Sequence, residues 1–545
     1  MPLLLTLVVL LCTVLVLPVL ALAGAWVGAS AQTWGIWQHL LSTVLPGYAL
    51  TSITLALSVG VGVALLGCAT AAAVTLFDFP GRRTLEWMLL LPLAMPAYVL
   101  AYAYTDVLQT SGALQVWLRA QTGWEGPLWP DVRSVWGAGV LFVFCLYPYV
   151  YLLVRTALTE RGVHLMEVAR LLGADLPRRI WAVALPMARP AMAAGVALAM
   201  METLADYGVA GYFGLTTFTT GIYSAWLSMD NAQAAAQLAT VLLAMVALLV
   251  AFEQSAQARL RFAGTRQGAL HGQEARPIEL HGSARVWAWL VCGVPVLLGF
   301  VLPVAALVVM LLRSTSEGGG GDTDSGVGTS LLPWSRFAQW AFNSFWLALW
   351  TALLATAFAL ALAWTRRRTT GRMLPLLARL VGLGYAVPGA VVVVGILLPT
   401  GWLRTLWPDS PAATLITATV LGLLYAYLVR FSAVALQSVD AGYARVSMSF
   451  DESARMLGQG GWPLWRRVHW PALRRATFTA ALLVFVDVMK ELPATLVLRP
   501  FNWDTLAVAA NQLARDERLA EAALPSLAMV LVGLVPVLLL SRAAR

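Results

Sequence analysis

The sequence predicts an all-α polytopic membrane protein built from two tandem six-helix halves, and three observations predict it. Hydrophobic residues make up 60% of the 545-residue chain and charged ones 12%, with mean hydropathy +0.76. That composition belongs to chains that cross a bilayer repeatedly rather than to soluble domains. Apolar runs of about 20 residues, enough to span the hydrocarbon core, recur along the whole length. Finally, one short arginine-rich stretch occurs twice.

Taken in order, the apolar runs give twelve spans, at 3–28, 51–76, 87–108, 134–156, 191–213, 236–253, 286–312, 343–365, 376–398, 414–436, 476–497 and 523–541. The first ends in Ala21-Leu22-Ala23, which looks like a signal-peptidase site, but it opens on Met1-Pro2-Leu3 without the basic residues of a signal peptide. It is expected to stay as the first span. Cys12, Cys68, Cys145 and Cys292 fall inside apolar runs and read as small buried hydrophobes rather than disulfides or metal ligands. The net charge of +9 calls for no nucleic acid, because most of the 36 Lys and Arg residues fall on the side of the two polar stretches. The positive-inside bias makes that side cytoplasmic and, with twelve spans, both termini cytoplasmic as well.

The repeated stretches are MEVARLLGADLPRRIWAVALP from Met166 and DESARMLGQGGWPLWRRVHWP from Asp451. Glu167, Ala169, Arg170, Leu172, Gly173 and Pro186 recur as Glu452, Ala454, Arg455, Leu457, Gly458 and Pro471, and each stretch carries an Arg-Arg pair between its glycine and its proline. Each is too polar to lie in lipid and starts as an amphipathic helix broken by the glycine. The repeat extends further: Thr51-Ser52 matches Asn343-Ser344, Gly81-Arg82 matches Gly371-Arg372, and Pro96 matches Pro388. The halves are therefore 1–255 and 286–545, joined by a basic, helix-poor cytoplasmic linker at 256–285. An even number of spans per half gives both the same orientation and a pseudo-two-fold axis along the membrane normal. The Gly-rich segment 317–328 reads as a flexible loop on the opposite side.

The chemistry an ATP-hydrolysing chain needs is missing. A phosphate loop ends in Gly-Lys-Ser or Gly-Lys-Thr, and the sole lysine here, Lys490, lies between Met489 and Glu491. No His-x-x-x-His or Cys-x-x-Cys occurs, and nothing suggests a nucleophile. His164 and His469 are expected to be cytoplasmic surface residues.

Sixteen residues after each repeated proline comes a carboxylate, Glu202 in one half and Asp487 in the other, followed four residues on by Asp206 and Glu491. On a continuous helix, i and i+4 share a face, and sixteen residues carry the chain about 24 Å into the bilayer. Each unpaired carboxylate there costs about 2.5–3.5 kcal/mol, so either partners or a polar pathway must offset them. Oxygen ligands of this kind suit hard cations. Tyr98, Tyr102 and Tyr104 read as interface anchors rather than as part of such a path.

The pattern Glu-x-Ala-x-x-x-Gly, nine residues, an aliphatic, one residue and Leu-Pro resembles the EAA loop of permeases of binding-protein-dependent ABC importers. Val168 and Ser453 replace the first alanine of the triplet, and Trp470 replaces the leucine before Pro471. The runs METLADYGVAGYFGLTTFTTGIYSAW from Met201, FVDVMKELPATLVLRPFNWDTLAV from Phe485 and ARDERLAEAALPSL from Ala514 are similar to segments of ferric-iron importers with two fused permease halves. The resemblance implies two type I importer transmembrane domains in a bacterial inner membrane. It implies a periplasmic binding protein that delivers ferric iron, and two copies of an ATPase subunit that carry ATP and Mg while this chain binds no cofactor. It makes Glu167, Ala169, Arg170, Gly173, Glu452, Ala454, Arg455 and Gly458 the ATPase-coupling residues. Glu202, Asp206, Asp487 and Glu491 become the substrate pathway and transient metal ligands. An organic cation such as thiamine or a polyamine, or a phosphonate, is the alternative cargo. A proton-coupled secondary transporter would use the acids but leaves both loops unexplained.

Overall fold

The computed structural model describes residues 2–26, 31–159, 163–264, 277–317, 334–369, 371–408 and 410–543. Nearly all of them are helical; the only described strands, Phe77–Asp78 and Ile278–Glu279, pair in parallel. Among the described residues, ten helices are long and apolar enough to cross a membrane, or eleven if the bent pair Arg82–Ala94 and Ala97–Leu108 counts as one. Two departures from the expected spans have a local cause. The expected spans at 87–108 and 376–398 are both broken, at Pro96 and Pro388, where Met95 and Val387 adopt extended backbone. A residue before proline is pushed out of the helical region by the proline ring, so each run turns there, the first by 93°. The expected span at 476–497 ends early, at Met489.

The repeat is visible element by element. Val163–Leu171, Leu176–Arg179 and a π-helical turn at Ile180–Ala184 lead into the helix Leu185–Ala205. Met448–Met456, Gly461–Leu464 and a π-helical turn at Trp465–His469 lead into Trp470–Met489. The matched serines do the same job: Ser52 Oγ accepts from the Phe218 amide at 3.1 Å, and Ser344 Oγ from the Leu506 amide at 2.8 Å. Arg155 pairs with Glu86, while Asp440, at the position matching Arg155, carries the opposite charge and pairs with Arg366.

The chain forms two compact units interleaved along the sequence. One comprises Met1–Leu40, Ile222–Leu243 and Trp334–Ala509. Its centre is the trio Trp334–Arg368, Val420–Tyr443 and Trp470–Met489, with Pro2–Gly24 laid against Met373–Gly382 and Gly389–Leu406. Gln233 and Gln237 donate to the carbonyls of Ala25, just past the helix Pro2–Gly24, and of Thr33, in the helix Ala31–Ser42, fastening the last helix of the first half to its opening segment. The other unit comprises Leu41–Gly221, Ala244–Pro333 and Ala510–Arg545. Its centre is the trio Leu45–Leu76, Val135–Ala157 and Leu185–Ala205, with Leu302–Glu317 packed on Leu519–Ala543 and on Ala97–Leu108. Each unit thus takes its central trio from one half and its flanking helices partly from the other. The repeat boundary and the unit boundary are different divisions of the chain. The helix Ala232–Gly264 also runs on into the expected helix-poor linker; 265–276 and the Gly-rich loop from 318 lie outside the described residues.

Helices in lipid gain little from water exclusion and associate instead through close packing at small residues. In the second trio that residue is Gly195: a Cβ there would lie 2.7 Å from Val150 Cα and 3.1 Å from its amide nitrogen. Gly195→Val is therefore expected to force two backbones apart, costing at least about 1–3 kcal/mol. A lowered melting temperature in detergent checks it.

Candidate functional site

The two island helices share one construction. Gly173 and Gly458 sit at φ +83° and +72°, conformations that side-chain-bearing residues resist. The amide of Ala174 reaches back to the Ala169 carbonyl at 3.0 Å, and that of Gln459 to the Ala454 carbonyl at 2.9 Å. This is the Schellman closure of a helix. Glu167, Arg170 and Glu452 are exposed, Ala169 is half-buried and Ala454 is buried; the side chain of Arg455 lies outside the described residues. Next to the glutamates stand aliphatic pairs left in the open: Leu171 and Leu172 are each 82% exposed, Met456 89% and Leu457 79%. Sequence reading noted the recurrence of Leu172 and Leu457 but missed Leu171 and Met456. The signal was present, since an apolar pair ending a polar amphipathic helix marks a docking face.

The four acids do not share two helix faces. The first helix ends at Ala205 and the second at Met489, so Asp206 and Glu491 lie beyond the helix ends. Both do the same work there. Asp206 Oδ2 accepts from the amides of Val209 at 2.8 Å and Ala210 at 3.3 Å, starting the short helix Gly208–Phe213. Glu491 accepts from the amides of Ala494 at 2.9 Å and Thr495 at 3.1 Å, starting Pro493–Leu498. Aspartate competes for backbone amides and so favours caps over helix interiors, and Leu492 precedes a proline. Broken backbone at membrane depth must have its polar groups satisfied by protein, and these carboxylates supply the acceptors.

Charge compensation separates the two pairs. Glu491 is 4% exposed and lies 3.2 Å from Arg430 Nη1, and Asp487 lies 3.0 Å from Lys490 Nζ. Among the described residues, no Lys or Arg comes within ion-pair distance of Glu202 or Asp206. By the offset of the repeat the counterpart of Arg430 is Cys145, whose thiol donates to the Met95 carbonyl at 3.4 Å. Arg430 went unnoticed in the sequence although it interrupts an apolar run, which by itself flags an ionisable group inside the membrane. No three His, Cys, Asp or Glu side chains among the described residues come together as a metal-holding group.

Two expectations about neighbouring residues fail. Tyr98, Tyr102 and Tyr104 are 5%, 1% and 6% exposed, so they are core and not interface anchors. Each hydroxyl finds an internal partner, as their burial requires: Met529, Asn511 and the Leu298 carbonyl. His469 is fully buried rather than superficial, against Trp364 and Tyr443. The side chain of His164 lies outside the described residues.

Residues 64–259 match the family of binding-protein-dependent transport system inner membrane components. A ferric-iron transport system permease from Haemophilus influenzae is 24% identical over 493 residues, spanning 90% of this chain and 89% of its own length. The chain carries a binding-protein-dependent transport permease domain. A sulfate transport permease from Escherichia coli is 29% identical over 46% of this chain, and a putative 2-aminoethylphosphonate permease from Salmonella typhimurium 28% over 48%. The permease is thus a multi-pass inner-membrane transport component rather than an enzyme. Such a permease works with a binding protein and an ATPase. Each island helix exposes a glutamate beside an apolar pair.

Proposed function

We propose that this permease carries ferric iron, delivered by a periplasmic binding protein, into the cytoplasm by alternating access driven by two copies of an ATPase subunit. One observation carries the cargo. The relative that matches from end to end, covering both fused halves, is named for ferric-iron transport, whereas the sulfate and phosphonate relatives match only about half the chain. ATP and Mg would bind the ATPase, with no cofactor on this chain. The island helices would move with the closing ATPase dimer. Both termini would be cytoplasmic. Glu202 and Asp206, which no Lys or Arg among the described residues neutralises, are the acids that would meet a cation in transit; Asp487 and Glu491 are already matched by Lys490 and Arg430.

The test is uptake of radiolabelled ferric iron, against labelled thiamine, putrescine and 2-aminoethylphosphonate, in vesicles holding the permease with its binding protein and ATPase. ATP-dependent uptake of iron alone supports the reading. Uptake of another cargo overturns iron and leaves the permease assignment untouched. Asp206→Asn keeps an oxygen for the Val209 and Ala210 amides and removes only the charge. It is expected to lower iron uptake by about ten-fold, equivalent to about 1.4 kcal/mol of lost cation stabilisation, while the protein melts as the wild type does.

A further inference from the structure

The two island helices are held by different chemistry. Asp451, the residue before Glu452, is 5% exposed. Its Oδ2 accepts from Arg367 Nε at 2.7 Å, and the same guanidinium donates to the carbonyls of Val446 and Ser447, each at 2.8 Å, which lead into the island helix. Asp451 Oδ1 lies 2.9 Å from His469 Nε2. His469 ends the π-helical turn that opens into Trp470–Met489, and its ring meets Trp364 edge-on at 4.6 Å. Trp364 and Arg367 close the helix Trp334–Arg368. One carboxylate on the island helix therefore engages the ends of two of the three central helices. In the first half the corresponding positions are Met166 and Ala184, both buried and both apolar.

We propose that Arg367, Asp451 and His469 are positioning residues that lock the second island helix to the central helices, so that it moves with Trp470–Met489 as one body, while the first island helix, which among the described residues has apolar Met166 and Ala184 at the matching positions, moves more freely. Directional, charge-assisted bonds fix an angle as well as a distance, and apolar contacts permit sliding. This inference rests on the permease reading for its purpose and on the geometry alone for the rigidity.

The experiment measures distance distributions by pulsed electron resonance in the full-length protein. Nitroxides are placed at Ser453 and Ala481 in one sample, and at the corresponding Val168 and Val196 in another. Locking predicts that the Ser453–Ala481 distribution is about half as broad as the Val168–Val196 one, as local rigidity requires. Equal widths would overturn the proposal. Asp451→Asn is expected to broaden the first distribution toward the second. Should it fail to fold, the apolar triple change Arg367→Met, Asp451→Met and His469→Ala removes the whole cluster, the last two changes copying Met166 and Ala184, and replacing buried ion pairs by apolar groups is commonly tolerated. An unchanged width in that variant would also overturn it.

A pH series adds a readout that packing alone would not move. His469 faces Asp451 on the island helix, Arg367 and Arg368 on Trp334–Arg368, and Tyr443 on Val420–Tyr443; burial is the largest influence and pushes its imidazole below the ordinary 6.5. The folded state thus favours the neutral ring, and its contribution is full above about pH 6.5 and is lost as pH falls through the lowered value. The Ser453–Ala481 distribution should broaden on acidification, and a flat profile counts against His469 as a member. Adding the ATPase with ATP separates the two readings. Widths as stated without any ATP response retain the lock and overturn the permease reading on which its purpose depends.

Discussion

With lysine at both Glu167 and Glu452, ATP-driven uptake is expected to be abolished while the permease remains folded. Both glutamates are exposed on helices closed by a glycine turn, so neither supports the fold through an internal contact that lysine would break. What they present is negative charge beside apolar pairs, Leu171 and Leu172 in one helix and Met456 and Leu457 in the other. Losing one partner of a buried, hydrogen-bonded charge pair at an interface costs about 2–5 kcal/mol, and reversing it places like charges together. At about 1.4 kcal/mol per factor of ten, each site alone would weaken ATPase engagement by about 30-fold or more. The check is co-purification of the ATPase beside the melting temperature of the permease. Retained uptake with the ATPase bound would remove these residues from the coupling surface.

Arg430→Met should be among the most destabilising single changes in the molecule. It leaves Glu491, whose side chain is 1% exposed, as an unpaired buried carboxylate. Breaking a buried pair from one side costs about 3–5 kcal/mol. The damage also propagates, because the same carboxylate starts the helix Pro493–Leu498 and accepts from the Thr495 hydroxyl at 2.6 Å, which in turn meets Tyr427. Thermal unfolding in detergent measures it. Adding Glu491→Gln should recover part of the loss, since the amide removes the charge and keeps one acceptor. Asp487→Asn should cost less than Arg430→Met, because Lys490 is 33% exposed and water shares in that pair. If Arg430→Met melts as the wild type does, Glu491 is not held as an ion in the fold.

Much of this was legible in the chain itself. The islands could be found because a polar, glycine-interrupted stretch cannot lie in lipid, and the helix, turn and π-helical segment recur at one offset in both halves. Pro96 and Pro388 were legible as repeated marks, yet they were read as residues within spans; the restriction that proline places on its predecessor decided for a break. The i, i+4 reading of the acids failed because it presumed a continuous helix. Asp206 and Glu491 end the regular helix by competing for the next amides, which spacing alone does not reveal.

The sequence by itself determined that the chain is a membrane-spanning repeat with two polar, glycine-interrupted islands, each followed by a pair of carboxylates, because hydropathy and repetition are local and additive. Only the tertiary structure decided which carboxylates are neutralised, that His469 is buried, and that the compact units trade their flanking helices. Those outcomes depend on which residues meet across long stretches of chain. Arg367 and Asp451, or Arg430 and Glu491, are far apart in sequence, and no local pattern records that they face each other.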